Sequence, residues 1–523
     1  MFNHRNDAVN KIQKLICAIV LVFACLAVVW RPGKVWSNAQ QLYEKWMILT
    51  MILEKVERFY VDEKNPDELL KDAIDGMLFG LDPHSVYLTP EQYRGYSQKY
   101  DGYFGFGLSY CRMDSVLVVT SLVENGPADV AGIRVGDRIV KIAGMRTSDI
   151  VSGSVERYLS ERPDKVVSLV LQRPPQNERI ALELVKRQII EKSIPVNFMF
   201  GDGIGYIKLS YFSDSTPQEL DAALMELTRA GMAQLVLDLR DNSGGAFSSG
   251  VAVADRFIPR GRMIVYTKGR APHSSEQFVA ILPETYVPLI VLVNESTASD
   301  AEIVSGALQD WDRGLIVGRR TYGKALVQTE YTFQDESVLL LTTARYYTPL
   351  GRLIQRDYEE NEAPVANQKG AEPQKYKTAK GRIVYGGGGI QPDRVLKKAD
   401  TVVPKALRPL YSAAENIFFN FADKYVISHP EALSAQDAES FVREFKISEE
   451  IWQQFKLYVR QTSASVTEAT MESNASFLKN ELKIEIAGRF WGDRGRFMAI
   501  ILHDSEVQTC LSYFEEAKAL LAN

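Results

Sequence analysis

Histidine is scarce in this chain: there are five in 523 residues, and none stands in a His-Glu-x-x-His arrangement. A zinc peptidase therefore lacks its usual ligands, no metal or other cofactor is called for, and any hydrolytic serine has few imidazole bases to draw on. Cysteine is as sparse. Cys17 and Cys25 fall in an apolar N-terminal stretch, and Cys111 and Cys510 lie far apart, which excludes a disulfide framework and predicts two buried free thiols. Basic runs are missing too, and with a net charge of −5 the chain gives no reason to expect nucleic acid as a partner. The apolar run from Leu15 to Trp30 is sixteen residues, short of the roughly 20 that cross a bilayer comfortably. Internal repeats and low-complexity tracts are absent.

What is present is ordinary globular usage, 46% hydrophobic and 24% charged, in a chain with room for about three domains. Arg5, Lys11 and Lys14 precede the Leu15–Trp30 run, as in an export signal, and Ser37-Asn-Ala39 offers small residues for cleavage before Gln40. Arg31 and Lys34 follow closely, so an uncleaved membrane anchor through residues 15–30 stays open. In either case the body is exported, and the expected location is the periplasmic side of a bacterial envelope. Residues 1–39 form this leader.

From 40 to 99 the period is helical, with Leu42, Trp46, Leu49, Leu53, Val56 and Phe59 at three- and four-residue steps and a second helix from Asp67 to Leu78. His84, in the Leu-Asp-Pro-His-Ser break after it, is read as a turn residue rather than a catalytic base. Residues 100–188 change to short strands at 115–121, 138–142, 166–172 and 180–185. Residues 189–355 alternate strand and helix, which means an α/β layer structure. A polar linker is expected at 359–380. From 399 to 523 the periodicity is helical again (Leu410, Ala413 and Ile417; Ile451, Phe455 and Val459; Leu511, Phe514, Ala517 and Leu521), with no chemistry in it.

The chemistry concentrates in two segments, Asn294-Glu-Ser-Thr-Ala-Ser299-Asp-Ala-Glu302 and Thr321-Tyr-Gly-Lys324-Ala-Leu-Val-Gln328. Ser299 with Glu302 reads first as a capping box that opens an amphipathic helix. The same helix start, with its unpaired N–H groups and positive dipole end, also suits a nucleophile beside which negative charge develops. For Lys324 the ordinary reading is a solvated loop charge. To serve as a base near neutral pH its pKa must fall from about 10.4 to roughly 7–8, which only a dry pocket beside the serine can bring about. Gln328 could then hold the amine in line. Upstream, the strand Gln234–Arg240 runs into Asp241-Asn-Ser-Gly-Gly245, either a tight turn or a loop whose glycines let an N–H approach a ligand, with Gly245 as a candidate oxyanion donor.

Taken together, Leu237 to Gly245, Val293 to Glu302, Gly318 to Lys324 with Gln328, and Ala344 to Gln355 resemble the C-terminal processing, or tail-specific, serine peptidases. Leu81 to Leu88, Gly102 to Leu108 and Gly386 to Asp393 extend the resemblance over roughly residues 45–395. It implies a multidomain α/β chain: an N-terminal helical segment, a β-rich PDZ domain at 100–188, a crotonase- or ClpP-like peptidase core at 189–398 and a C-terminal helical region. It implies Ser299 as nucleophile, Lys324 as general base and Gln328 as its orienting residue. The amides of Gly245 and Asp300 would form the oxyanion hole. Gly126 to Asp137 resembles the PDZ pattern of a short helix before a strand, and Gly105, Phe106, Gly107 and Leu108 resemble the PDZ loop that holds a terminal carboxylate. Partners would then be proteins or peptides with free C-termini, with room for a homo-oligomer. Two positions depart from the family pattern, Asp300 and Ala325, where small residues and glycine are usual. A carboxylate at 300 suits an oxyanion hole only if it points away. The rival readings are an adaptor that binds C-terminal tails with an inactive core, and a crotonase-like acyl enzyme, against which the PDZ unit and the Ser-Lys-Gln set both argue.

Overall fold

A computed structural model describes residues 35–113, 115–150, 155, 166–201, 203–357, 374–398, 403–411, 416–429, 437–462 and 466–522. Residues 1–34 of the leader, with its apolar run and two cysteines, lie outside them, as does most of the expected linker. The chain divides into two compact units, Met1–Tyr87 and Leu88–Asn523.

The first unit carries two helices, Val35–Phe59 and Pro66–Phe79. Asn65 caps the second, accepting the Asp67 N–H at 2.9 Å. The turn after it is braced by Asp82, whose carboxylate accepts the amides of His84 and Ser85 at 2.9 Å each. His84 thus contributes its backbone to a turn, as expected. The regular apolar positions of the first helix do not form a core: Leu42, Trp46, Leu49 and Phe59 are exposed. No helix among the described residues is long and apolar enough to cross a membrane.

In the second unit the PDZ strands Leu108–Met113, Val116–Leu122, Arg138–Ile142, Val166–Arg173 and Glu178–Val185 pair in the order given, antiparallel throughout, with Met145–Arg146 beside the third. The short helix Pro127–Val130 precedes the third strand as the pattern required. Leu117, Val119, Ile139, Leu169 and Leu171 make this domain's own core. Along Val166–Arg173 alternate residues are buried, the period-2 signature of a strand with one face in the core.

The peptidase core is a six-stranded sheet in sequential order: β1 (Val196–Gly201), β2 (Ile204–Lys208), β3 (Gln234–Asp238), β4 (Leu289–Val293), β5 (Leu315–Gly318) and β6 (Arg394–Val395). Only the β1–β2 pair is antiparallel. Helices α1 (Thr216–Arg229), α2 (Phe247–Asp255) and α3 (Asp300–Asp310) make the crossovers and share one face. Residues alternate between faces along each strand: Leu235, Leu237, Leu289, Val291 and Val293 meet those helices, while Val236, Ile290 and Leu292 face the other way. That second face is covered by C-terminal helices, through Ala422 and Val426 of α4 (Ile417–Ser428), Ile486, Ala487 and Met498 of α5 (Ala475–Leu502), and Val507 and Cys510 of α6 (Ser505–Leu511). The C-terminal region is therefore the outer layer of the peptidase sheet.

Three local expectations change. Leu410 and Ile417 do not share one α-helix: Lys405–Tyr411 is a 3-10 turn, α4 begins at Ile417, and Ala413 falls outside the described residues. Pro409 within the 3-10 segment explains the break, since its ring cannot donate to a continuing helix. Leu511 and Phe514 sit on either side of a turn rather than on one helix. The end of the linker is structured, with Lys375–Lys377 pairing with Ile383–Tyr385. Of the thiols, Cys510 is buried and Cys111 only half-buried, and both are free.

Candidate active site

The carboxyl ends of three adjacent parallel strands supply the three loops of the site. β3 runs into Arg240–Gly245, β4 into Asn294–Ser299 and β5 into Arg319–Lys324, the place where open α/β sheets bind ligands. The first two loops are stitched together. Asn294 Oδ1 accepts the Asp241 amide at 2.9 Å, and the Asn242 carbonyl accepts the Ala298 amide at 2.8 Å. Gly244 sits against the serine: at φ +96°, a Cβ there would lie 2.7 Å from Ser299 Cβ. A Cβ at Gly245 would lie 1.9 Å from the Phe212 carbonyl oxygen, so this bend needs both glycines.

Ser299 precedes α3, but not as an ordinary cap. An N-cap residue usually has extended dihedrals, whereas Ser299 has φ 56° and ψ −116°. A side chain held there costs of order 1–3 kcal/mol and persists only where its surroundings impose it. Two buried groups do so. The carboxylate of Glu302 accepts the Ser299 amide at 3.0 Å, the Lys324 amide at 2.9 Å, the Gly323 amide at 2.7 Å and the Thr321 hydroxyl. The Tyr346 hydroxyl contacts the Ser299 carbonyl at 3.0 Å and the Lys324 carbonyl at 2.8 Å. Serine and lysine are thus tied backbone to backbone through Glu302 on one side and Tyr346 on the other. Burial pushes the Glu302 carboxyl up to about 7, opposed by those four donors. It also raises the Tyr346 phenol well above its ordinary value, with Glu302 and Asp300 adding to the rise.

Lys324 is half-buried, and its ammonium donates to Gln328 Oε1 at 2.9 Å. Gln328 lies in the strand Leu326–Thr332, whose pairing with Val338–Tyr347 slips between Val327 and Gln328. A slip of this kind re-aims side chains near functional sites. Ala325 fits without strain: its amide donates to Gln355 Oε1 at 2.8 Å and its carbonyl accepts the Tyr346 amide at 3.0 Å.

Asp300 does not point away. Its carboxylate accepts the Gly245 N–H at 2.7 Å, and the side chain is almost fully buried, at 2% exposure. Burial raises its carboxyl to about 6, against the Gly245 amide, the Lys324 charge, its own amide and the Ser299 hydroxyl, all of which favour the charged form.

The base of the site is clamped from outside. Asp238, at the end of β3, accepts from Tyr206 at 2.6 Å and from the Arg240 guanidinium at 2.7 Å. Burial would raise this carboxyl, but Lys208 and Arg240 prevail and hold it well below the usual range. Arg240 also pairs with Asp504 at 2.8 Å and Glu506 at 3.0 Å, and Arg319 pairs with the same Glu506. The start of α6 therefore grips the roots of both the glycine loop and the lysine loop. The aromatics Tyr206, Tyr211 and Phe212 beneath the site are buried.

In the PDZ domain, Gly105 closes a short strand opposite Arg187, the Phe106 ring enters the domain core, and Leu108 opens a strand at the sheet edge. The Phe106 and Gly107 carbonyls accept the Ala128 and Val123 amides at 2.9 and 2.8 Å. The Lys186 ammonium stands 5.8 Å from the Phe106 ring.

The structure brings Ser299, Asp300, Gly245, Lys324 and Gln328 into one site. Sequence reasoning did not find Tyr346, the bridging role of Glu302 or the Glu506 clamp. The Ser-x-x-Glu spacing pointed to Glu302 only as a cap, and Tyr346 lay unremarked in the Ala344–Gln355 block.

Residues 203–362 match peptidase family S41, 118–173 match the PDZ domain, and 411–492 match a family of unknown function. A carboxy-terminal-processing protease of Bartonella bacilliformis is 32% identical over 352 residues, spanning 66% of this chain and 80% of that one. A probable CtpA-like serine protease of Staphylococcus aureus is 33% identical over 56% of this chain and 60% of its own. The solved photosystem II D1 C-terminal processing protease is 28% identical, with 70% of this chain and 98% of that one covered and a TM-score of 0.36. The chain is a serine-type peptidase and belongs to family S41, the carboxy-terminal-processing proteases.

Proposed function

We propose that the chain is an endopeptidase that grips the C-terminal tail of a protein substrate in its PDZ domain and cleaves it through a Ser299–Lys324 acyl-enzyme cycle. The observation that carries this reading is the 2.9 Å bond from Lys324 to Gln328, in a site where Glu302 and Tyr346 fix the lysine and serine backbones to each other. Neutral Lys324 takes the Ser299 proton, and the alkoxide attacks a peptide carbonyl. The oxyanion forms against the amides of Gly245 and Asp300. Lys324 then protonates the departing amine, and water repeats the sequence on the ester to release the acid. Gln328 orients the amine throughout.

The edge position of Leu108–Met113 supports recognition by strand addition. A gripped tail makes cleavage an event at high local concentration. The charged N-terminus and the Leu15–Trp30 run support action on the exported side of a bacterial membrane, with or without retention as an anchor. Cell fractionation that found the chain in the cytoplasm would remove that part.

The test incubates the full chain with a loosely folded protein that ends in an apolar tail. Ser299→Ala and Lys324→Ala should each lower kcat by roughly 10⁴-fold or more, the scale for members of a catalytic unit. Persistent cleavage in either variant would sink the dyad. Retained tail binding without wild-type cleavage would favour an adaptor.

A further inference from the structure

One of the two amides assigned to the oxyanion, that of Gly245, already has an acceptor. Asp300 Oδ2 lies 2.7 Å from the Gly245 nitrogen, and the Asp300 amide and Ser299 hydroxyl also act on the same carboxylate. The side chain is housed rather than stray. A Cβ at Gly250 would come within 2.7 Å of Asp300 Cβ, and one at Gly244 within 3.1 Å of its Oδ2, so α2 and the glycine loop leave a slot of its size. Lys324 is the cation that faces it, and Glu302 lies two residues further on. A carboxylate oxygen on these donors has the charge and the partners of a tetrahedral oxyanion. A donor stabilises a transition state only if it is free to meet the charge that develops there.

We propose that Asp300 is a resident occupant of the oxyanion site: its carboxylate holds the peptidase latent and must leave Gly245 before a substrate carbonyl can be activated. The inference rests on the reading of Gly245 as an oxyanion donor and of Ser299 as the nucleophile. It makes the side chain beside the nucleophile a brake on the reaction, while the amide of the same residue stays one of its donors. Displacement of the carboxylate by bound substrate is then a step that precedes acylation.

The experiment compares wild type, Asp300→Ala, Asp300→Asn and the double variant Asp300→Ala/Ser299→Ala. The readouts are steady-state cleavage of the loosely folded substrate and the rate at which a fluorophosphonate labels the serine. Asp300→Ala should raise kcat roughly 10- to 100-fold, because one oxyanion donor is worth about 10²–10³. KM should hold, labelling should accelerate in parallel, and Asp300→Asn, neutral but still able to accept the Gly245 N–H, should fall between. If both single variants are folded, with melting temperatures no lower than that of wild type, yet cleave and label no faster than wild type, the brake is refuted. Cleavage by the double variant would instead refute Ser299 as nucleophile. A silent double variant with equal rates in wild type and Asp300→Ala would leave the dyad standing and remove Asp300 alone.

Discussion

At the scale of single residues, the site is built from side chains that each serve two parts of the chain. Glu302 is a helix-start carboxylate by sequence, yet it gathers donors from its own turn and from the lysine loop. Asp300, two residues earlier, is buried as well, with Lys324 facing its carboxylate. A carboxyl raised to about 6 means that, between its ordinary range near 4 and that value, the folded chain binds a proton that the unfolded chain releases. Its contribution to stability is complete below the ordinary range and is lost as pH rises through 6. Asp300→Asn, a neutral isostere, should therefore match wild type at pH 4 and become the more stable protein above pH 6, as read from urea midpoints at each pH. A gap that closes instead of opening with rising pH would contradict the burial argument.

At the scale of elements, a helix that carries no catalytic group reaches the reaction. α6 begins at Ser505, and through Glu506 it holds Arg240 at the root of the glycine loop and Arg319 at the root of the lysine loop. Those arginines are mostly buried, at 12% and 15% side-chain exposure, so the pairs are better shielded than surface salt bridges. Glu506→Gln should weaken the grip on both loops and lower kcat several-fold to about tenfold, the size of one charge-assisted hydrogen bond of about 1.5 kcal/mol. Tail affinity, measured by titration with a labelled peptide, should stay unchanged. An equal loss of affinity would mean that the variant disturbs the whole fold instead.

At the scale of the molecule, the C-terminal region also docks the PDZ domain. Asp423 of α4 has no exposed side-chain surface and receives Arg138 from a PDZ strand and, at 2.8 Å, Arg489 from α5. The Arg489 guanidinium also meets the Val135 carbonyl and packs on Gly136, where any Cβ would strike it. Asp423→Ala leaves two arginines without their anion, which costs roughly 3–5 kcal/mol for a broken buried pair. The expected readout is faster amide exchange across residues 134–138, together with a lower melting temperature. Unchanged exchange there would show that apolar packing alone holds the domain in place.

The sequence by itself determined the element pattern and the inventory of the site. The strands at 138–142 and 180–185, the strand and helix alternation across 189–355 and the helix that opens at Ser299 were legible because period and local turn chemistry act over a few residues. Ser299, Lys324, Gln328 and Gly245 were legible because each stands in a short motif whose residue types have a mechanical reason. What the local signal could not supply were partners distant along the chain. The Gly245–Asp300, Tyr346–Ser299 and Arg240–Glu506 bonds join different strands, loops and domains. The apolar stripe of Val35–Phe59 shows the same limit from the other side, since its period fixed a helix but not what would cover it. Whether the Asp300 carboxylate points away from Gly245 or accepts its N–H was decided only by the tertiary structure. The reason is steric: glycines at 244 and 250, from two other elements, leave room for that carboxylate where a Cβ would crowd it.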